Sequence, residues 1–94
     1  MDELIIVNVF SVDKNISGIE CDSVRLPVSD AADGKFSGSY GIRKGHAKAA
    51  FALKAGQVCL TLKGENIRSF NISNGFATVE NNQVCITVSS FNEE

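Results

Sequence analysis

The sequence predicts an all-β fold of about eight to ten short strands, arranged as a sandwich or a barrel. Several short runs alternate apolar and polar residues, which is the period of a half-buried strand. Turn residues rich in Asn and Gly separate these runs at intervals of about ten residues, a spacing typical of sandwiches and barrels. The chain has 94 residues, and we expect residues 1–94 to form a single domain.

The first strand is predicted over residues 4–10, LIIVNVF, where β-branched side chains suit a pleated surface. Both faces of this run are largely apolar, so we expect a central strand or one that is covered on both sides. The next alternating run contains Val24, Leu26 and Val28. Pro27 cannot donate a hydrogen bond to a ladder, so we expect it at an edge or at the end of a strand.

Three alternating runs predict strands in the second half of the chain. Their apolar positions are Val58, Leu60 and Leu62, then Phe70 and Ile72, and finally Val84, Ile86 and Val88. Turn residues separate them at 64–66 (GEN), at Asn74-Gly75 and at Asn81-Asn82. Asn-Gly is a strong hairpin signal because both residues tolerate positive φ, so we expect a hairpin at Asn74-Gly75.

Two segments are harder to interpret. Residues 46–54, HAKAAFALK, are rich in alanine and are followed by Ala55-Gly56, so propensity favours a short helix with a glycine cap. Nine residues are marginal for a helix, and a strand stays open here. Residues 29–45 hold four of the eight glycines, at 34, 38, 41 and 45, and are predicted to form an irregular loop.

Composition argues against several classes of protein. The net charge of −2 disfavours a general nucleic-acid binder, which needs a basic excess. No apolar run approaches the ~18 residues that span a bilayer, so we expect no direct membrane insertion. The start, Met1-Asp2-Glu3, is acidic where a signal peptide would be basic. The cysteines, Cys21, Cys59 and Cys85, form no CxxC pair, so we expect three reduced thiols and no zinc site.

The chain offers little for catalysis. Its single histidine, His46, could join Ser37 or Ser39 and Asp30 or Asp33 in a triad, but nothing in the spacing supports one and no GxSxG elbow exists. Such a hydrolase would need a pocket holding the histidine beside a hydroxyl and a carboxylate. The glycine-rich loop lacks the P-loop pattern. We therefore predict no catalytic residue, no cofactor and no metal site, and a histidine that makes a local hydrogen bond or an interface contact.

One charge feature stands out from the acidic background. A basic cluster consists of Arg43, Lys44, His46, Lys48 and Lys54. It is either a solvated face or a docking patch for an acidic protein loop or an anionic surface.

Several segments also resemble a known family. Residues 41–47, GIRKGHA, and 52–56, ALKAG, are similar to the pattern G-[IV]-x-P-G-H-A-P-L-L-T-x-L-K-P-G of the N-terminal domain of the F-type ATP synthase epsilon subunit. Further similar segments are SG at 17–18, SVRLP at 23–27 and SNGFATVENNQV at 73–84. Each segment alone is weak, but their order and spacing agree over roughly residues 3–90.

The resemblance implies a two-sheet sandwich with a strand near residues 51–53. It also implies a non-catalytic central-stalk subunit that couples the gamma subunit to the ring of proteolipid subunits in a proton- or sodium-translocating ATP synthase. Such a subunit would be cytoplasmic and peripheral to the plasma membrane. The alternative is a free-standing β-sandwich that binds proteins and descends from the same family.

The resemblance also indicates a ring-facing loop. Its residues in this sequence are Ser39, Tyr40, Arg43, Lys44, His46 and Lys48. The chain departs from the family where Lys44, Lys48 and Ala55 replace prolines and where Ser39 replaces an acidic residue. We therefore expect a ring contact that uses basic charge.

Two further departures concern the length of the chain. Residues 31–36 resemble an insertion. The helical hairpin that follows the sandwich in typical relatives is not in this sequence, so the ATP binding and rotational inhibition carried by that hairpin are not expected here.

The resemblance finally predicts how the surface should look. Docking to a gamma subunit should use an apolar patch, since stable interfaces have fairly apolar cores. An exposed apolar patch on one sheet would favour the stalk subunit, and a uniformly polar surface would favour the free-standing module.

Overall fold

The computed structural model describes residues 4–28 and 38–93, which form ten strands and no helix. The strands are β1 (Ile5–Phe10), β2 (Asn15–Cys21), β3 (Ser23–Val28), β4 (Gly38–Arg43), β5 (Ala49–Leu53), β6 (Gly56–Leu62), β7 (Glu65–Ile72), β8 (Gly75–Glu80), β9 (Gln83–Val88) and β10 (Phe91–Glu93). This confirms the predicted all-β class and the predicted number of strands.

The strands form two five-stranded layers of one continuous, curled sheet. The first sheet has the order β4-β3-β6-β7-β10, and the second has the order β5-β8-β9-β1-β2. The layers join where Val28 of β3 pairs with Leu53 of β5. At the far side, Lys14 in the β1–β2 turn donates from Nζ to Asn92 Oδ1 of β10 over 3.4 Å, so the two outermost strands meet. Pairings are antiparallel except between β1 and β9.

The core lies between the two layers and is built from alternate residues of the strands. Every apolar position predicted from the alternating runs is buried except Leu62, which is half-buried. The first strand is central, as expected, because β1 lies between β9 and β2. Pro27 is the last residue but one of β3, close to the expected strand end.

Residues 46–54 form no helix, and the strand expected from the family resemblance is confirmed. Residues 49–53 are β5, which pairs along its length with β8 from Ala49↔Val79 to Leu53↔Gly75. The ladder and the burial of Leu53, which is 2% exposed, outweigh the helical preference of alanine. Tertiary pairing overrides local propensity in this way because a short isolated helix has little stability of its own.

The prediction of an irregular loop over residues 29–45 is wrong for its second part. Residues 38–43 are β4, which pairs with β3 through six residue pairs from Ser23↔Arg43 to Val28↔Gly38. Ile42 is fully buried and Tyr40 is half-buried against the core, so the strand has a period of two that its glycines obscured. The proposed insertion at 31–36 lies outside the described residues.

Two turns follow the asparagine and glycine signals, with one shift in position. Asn81 and Asn82 have φ values of 53° and 62° and join β8 to β9. The other turn joins β6 to β7 at Lys63 and Gly64, which have φ values of 55° and 81°. It begins one residue before the predicted turn at 64–66. Two consecutive residues with positive φ are typical of the type I′ hairpin turn, whose twist matches that of the strands.

The hairpin predicted at Asn74-Gly75 is wrong. β7 pairs with β6 and β10, whereas β8 pairs with β5 and β9, so the chain crosses from one sheet to the other here. A Cβ on Gly75 would collide with the Thr87 carbonyl oxygen and lie 2.8 Å from Val88 Cα. This glycine is therefore required by close backbone approach rather than by a tight turn.

Candidate functional site

The turn between β4 and β5 is held by three packed rings. Tyr40 and Phe51 lie 4.8 Å apart between ring centroids, and His46 packs edge-on against both at 5.7 and 6.1 Å. Tyr40 comes from β4, Phe51 from β5 and His46 from the turn itself. The two rings from the strands also pack against the core, so this cluster fixes the turn to the body of the sandwich.

Both ring nitrogens of His46 have local partners. The Tyr40 hydroxyl lies 2.9 Å from Nε2, and the Ala47 carbonyl oxygen lies 2.7 Å from Nδ1. The carbonyl can only accept, so Nδ1 carries the proton, and in the neutral ring Nε2 accepts from the tyrosine. This confirms the prediction of a histidine with local hydrogen bonds. The alternative partners Asp30, Asp33 and Ser37 lie outside the described residues, as does the side chain of Ser39.

A second set of contacts ties this turn to the β8–β9 turn. The Gly45 amide donates to Asn82 Oδ1 over 2.7 Å, and the Ile6 amide donates to the Asn82 carbonyl over 2.9 Å. Lys48 Nζ lies 3.9 Å from Glu80 Oε2, but both side chains are well exposed, so this pair adds little. The β4–β5 turn, the β8–β9 turn and the start of β1 thus form one end of the molecule, here called the basic end.

The structure brings most of the predicted ring-facing residues together at the basic end. Arg43, Lys44 and Lys48 are exposed there, and Tyr40 and His46 are half-buried beneath them. Lys54 does not join this cluster, because β5 carries it to the opposite end of the sandwich, where its amide donates to the Pro27 carbonyl. The basic cluster predicted from the sequence is therefore smaller than expected.

The outer surface of the second sheet is uncharged along two rows of residues that are neighbours across β5, β8, β9 and β1. These rows, here called the uncharged face, are Ala52, Phe76, Thr87 and Phe10, and then Ala50, Thr78, Cys85 and Asn8. Phe76 is 53% exposed and Phe10 is 36% exposed. Two large rings on one uncharged surface are unusual for a surface that faces only water.

The β1–β2 turn lies at the end of the second sheet opposite the basic end. Val12, in the β1–β2 turn, is 93% exposed. The turn is closed by the Ser11 amide, which donates to the Lys14 carbonyl over 2.9 Å, and by the Ser11 hydroxyl, which contacts both Asp13 and Lys14. An ordered turn thus presents an apolar side chain to the surroundings.

The family model for the ATP synthase Delta/Epsilon chain, beta-sandwich domain, matches residues 5–94. The chain belongs to this family. Among curated proteins, the ATP synthase epsilon chains of Nostoc sp. and Trichormus variabilis are each 36% identical over 83 residues, which cover 87% of this chain and 56% of theirs. The chain therefore spans little more than half the length of these relatives.

Two solved structures contain chains with the same fold as this chain, at lower sequence identity. A chain of the Euglena gracilis mitochondrial ATP synthase, in an OSCP/F1/c-ring structure, matches with a TM-score of 0.76 at 20% identity over 96% of this chain and 53% of its own. A chain of the Tetrahymena thermophila mitochondrial ATP synthase, in a central stalk/c-ring structure, matches with a TM-score of 0.68 at 14% identity over 94% and 65%. These likenesses confirm the predicted two-sheet sandwich.

Some features of this family member were not selected from the sequence. Val12 lies among the polar residues of a turn, and Phe76 has the opposite parity along β8 to the buried Ala77 and Val79. Both could therefore have been recognised as outward-facing apolar residues. Asn82 was recognised only as a turn former and not as the side chain that holds Gly45. Within the described residues, no helix could cross a membrane and no group of three acidic, histidine or cysteine side chains could hold a metal.

Proposed function

We propose that this chain is a non-catalytic central-stalk subunit of an F-type ATP synthase, which couples the gamma subunit to the proteolipid ring. The observation that carries the proposal is the uncharged face with its exposed Phe76. Family membership supports it, because the curated relatives are named ATP synthase epsilon chains. The complex would translocate protons or sodium ions, and this subunit would lie at the membrane periphery through its partners.

The uncharged face is suited to the gamma subunit. Its eight residues would bury no charge on docking, and Phe76 at 53% exposure and Val12 at 93% exposure have apolar area to lose. Aromatic residues at the centre of an interface often carry much of the binding free energy. The alternative of a free-standing module predicted a uniformly polar surface, and the exposed rings favour the stalk subunit instead.

The basic end is suited to the polar loops of the proteolipid ring. Arg43, Lys44 and Lys48 present positive charge there, and Lys44 and Lys48 stand where the family pattern has prolines. Charged residues at the rim of an interface mainly set the association rate and its salt dependence. Docking at the basic end should therefore weaken as salt is added.

The two surfaces lie on one rigid body. Phe76 and Glu80 are four residues apart on β8, or about 13 Å at the rise of a β-strand. The Gly45–Asn82 hydrogen bond fastens the ring-facing turn to the β8–β9 hairpin that also carries the uncharged face. Torque could pass between gamma and the ring through this hairpin without a flexible linker.

Co-purification of the tagged chain with its cognate gamma subunit tests the proposal. Stable one-to-one binding is expected, and Phe76→Asp should abolish it because a carboxylate would be buried in the interface. Gln57→Asp places the same charge on the outer surface of the first sheet and serves as the matched control, and His46→Ala should leave gamma binding intact. Circular dichroism checks that each variant is folded.

Two results would contradict the proposal. If the folded wild-type chain does not bind gamma at micromolar concentrations, the free-standing module becomes the better explanation. If Phe76→Asp and Gln57→Asp bind as tightly as the wild type, gamma docks elsewhere. The basic end is tested separately by retention of the chain on detergent-purified proteolipid rings. Arg43→Glu should reduce this retention, and Lys54→Glu, at the other end of the sandwich, is its control.

A further inference from the structure

The outer surface of the first sheet carries a groove that begins at the basic end, where it shares Arg43, Lys44 and His46 with the ring-facing turn, and extends away from it across the sheet. The groove measures about 590 Å³, and its floor consists of short side chains because Gly41, Ser23, Cys59 and Thr61 occupy neighbouring strands. A second depression of about 750 Å³ continues from it toward the Lys63-Gly64 turn and shares Ser23 and Thr61 with it. The groove is thus an extended trough across β4, β3 and β6.

The rim of this groove is strongly basic although the chain has a net charge of −2. Its cations are Arg25, Arg43, Lys44 and Lys63. Its one carboxylate among the described residues is Asp22, and Asp22 Oδ2 already accepts the Lys63 amide over 2.7 Å. Positive charge therefore dominates the groove.

Two arginines are placed to act together. Arg25 pairs with Gly41 across β3 and β4, and Arg43 pairs with Ser23 one step along the same ladder. Arg25 and Arg43 are therefore diagonal neighbours on one face, about 7–8 Å apart at the backbone. Neither forms an ion pair with any residue that the structure describes. Two like charges on neighbouring strands repel each other, and a bound anion would relieve that repulsion.

We propose that this groove binds a phosphate-bearing anion. Guanidinium groups match phosphate oxygens in bidentate geometry, and two arginines line this groove together with the hydroxyl-bearing Ser23 and Thr61. A single carboxylate has too few oxygens to engage all these donors, whereas a phosphate carries more oxygens and more charge. Among the described residues that line the groove, His46 carries the one ring, so we expect the site to recognise the phosphate rather than a stacked base.

Cys59 provides a native reporter for the site. It lies on the floor of the groove beside Arg25, and it is half-buried with a free thiol. Cys85 lies on the outer surface of the opposite sheet and is equally half-buried, so it is an internal control. A ligand in the groove should slow the alkylation of Cys59 and leave that of Cys85 unchanged.

The probe is pyrophosphate at low ionic strength, measured by calorimetry and by Cys59 alkylation. Saturable binding is expected. Arg25→Gln and Arg43→Gln should each weaken it about tenfold, the effect of losing a hydrogen bond to a charged group. Arg25→Lys should also weaken binding, because lysine keeps the positive charge but lacks the guanidinium group that binds two phosphate oxygens at once. Lys54→Gln removes one charge at the other end of the molecule and should have little effect.

Further arms separate the sources of the phosphate. The chain is sedimented with vesicles of phosphatidylglycerol or of phosphatidylcholine. If it sediments only with phosphatidylglycerol, and if Arg25→Gln abolishes this, the phosphate belongs to a lipid headgroup. Pyrophosphate binding without sedimentation would assign it to a free phosphate compound.

Three results would overturn the proposal. Equal weakening by Arg25→Gln and Lys54→Gln would show non-specific charge attraction. Protection of Cys59 by hexaglutamate as strong as that by pyrophosphate would make the groove a docking site for acidic peptides. The absence of both saturable binding and Cys59 protection would leave no phosphate site. Arg43 is also one of the predicted ring-facing residues, whereas Arg25 is not. The Arg25 variants, together with gamma binding measured independently, therefore keep failure of the phosphate site distinct from failure of the stalk function.

Discussion

The Gly45 amide and the Asn82 side-chain oxygen lie 2.7 Å apart and join two turns that are 37 residues apart in sequence. One turn carries the basic residues expected to face the proteolipid ring, and the other closes the β8–β9 hairpin. Because Asn82 also has a φ of 62°, it both shapes its own turn and holds the neighbouring one. This single residue therefore controls how rigid the basic end is.

Replacing Asn82 should loosen the basic end. Asn82→Gly keeps the positive φ and loses the acceptor, and we expect it to lower the free energy of unfolding by about 0.5–1.5 kcal/mol. Asn82→Asp keeps an acceptor oxygen and should cost less. Urea denaturation measures the stability, and hydrogen exchange of the Gly45 amide measures the local opening. Unchanged exchange in Asn82→Gly would show that the turn is held by other contacts.

Gly75 should tolerate no side chain. In Gly75→Ala the new Cβ would collide with the Thr87 carbonyl oxygen, which is backbone and cannot rotate away. We expect a loss of about 1–3 kcal/mol, the usual cost of overpacking. Gly41→Ala is the matched control, because a Cβ there meets nothing within 4 Å. Thermal unfolding of the two variants should separate them clearly, and similar melting temperatures would contradict the close approach of β8 and β9.

The final strand should respond to acid through one ion pair. Arg68 donates to both carboxylate oxygens of Glu93 at 2.6 Å, and these hydrogen bonds lower the pKa of Glu93. A lowered pKa in the folded state means that the stabilisation is present above the ordinary glutamate pKa and is lost as the pH falls through the folded value.

Carbon-detected NMR titration of Glu93 measures this effect. Arg68→Gln should raise the midpoint of the Glu93 titration to its ordinary range and remove this part of the acid sensitivity. Lys63→Gln removes a charge without touching the pair and is the control. An identical Glu93 midpoint in the wild type and Arg68→Gln would show that the pair does not persist in solution.

The three thiols should react at very different rates. Cys21 is fully buried, and burial, together with the nearby Asp22 carboxylate, raises its pKa to about 11. Since the thiolate is the reactive form, Cys21 should resist maleimide at neutral pH while the half-buried Cys59 and Cys85 react. Mass spectrometry after timed labelling identifies the modified residue.

Ionising Cys21 should also destabilise the fold at high pH. Because the folded pKa is raised, the contribution is complete below the ordinary thiol pKa and is lost as the pH rises toward about 11. Cys21→Ala should show less alkaline destabilisation than the wild type, relative to its own stability at neutral pH. Rapid labelling of Cys21 in the folded protein at neutral pH would contradict its burial.

The all-β class and the residues that face the core follow from the sequence alone. Val58 and Leu60, like Val84 and Ile86, alternate with polar residues, and a strand has only two faces, so their burial followed directly. The type I′ turn at Asn81 and Asn82 was also readable, because its positive φ values favour asparagine. The aligned segments of the family pattern extended this to a two-sheet sandwich and to a strand near residues 51–53, which the structure shows as Ala49–Leu53.

The pairing of the strands, and the outward-facing residues that it places side by side, could be seen only in the folded protein. β4 exists because Gly38–Arg43 finds β3 as a partner, and Asn74-Gly75 became a crossover because β7 and β8 belong to different sheets. The placement of Phe76 and Phe10 on either side of Thr87, and of Arg25 diagonal to Arg43, depends on register between strands that are distant in sequence. Local residue patterns carry no information about such register, because it is set by the fit of the two sheets around their shared core.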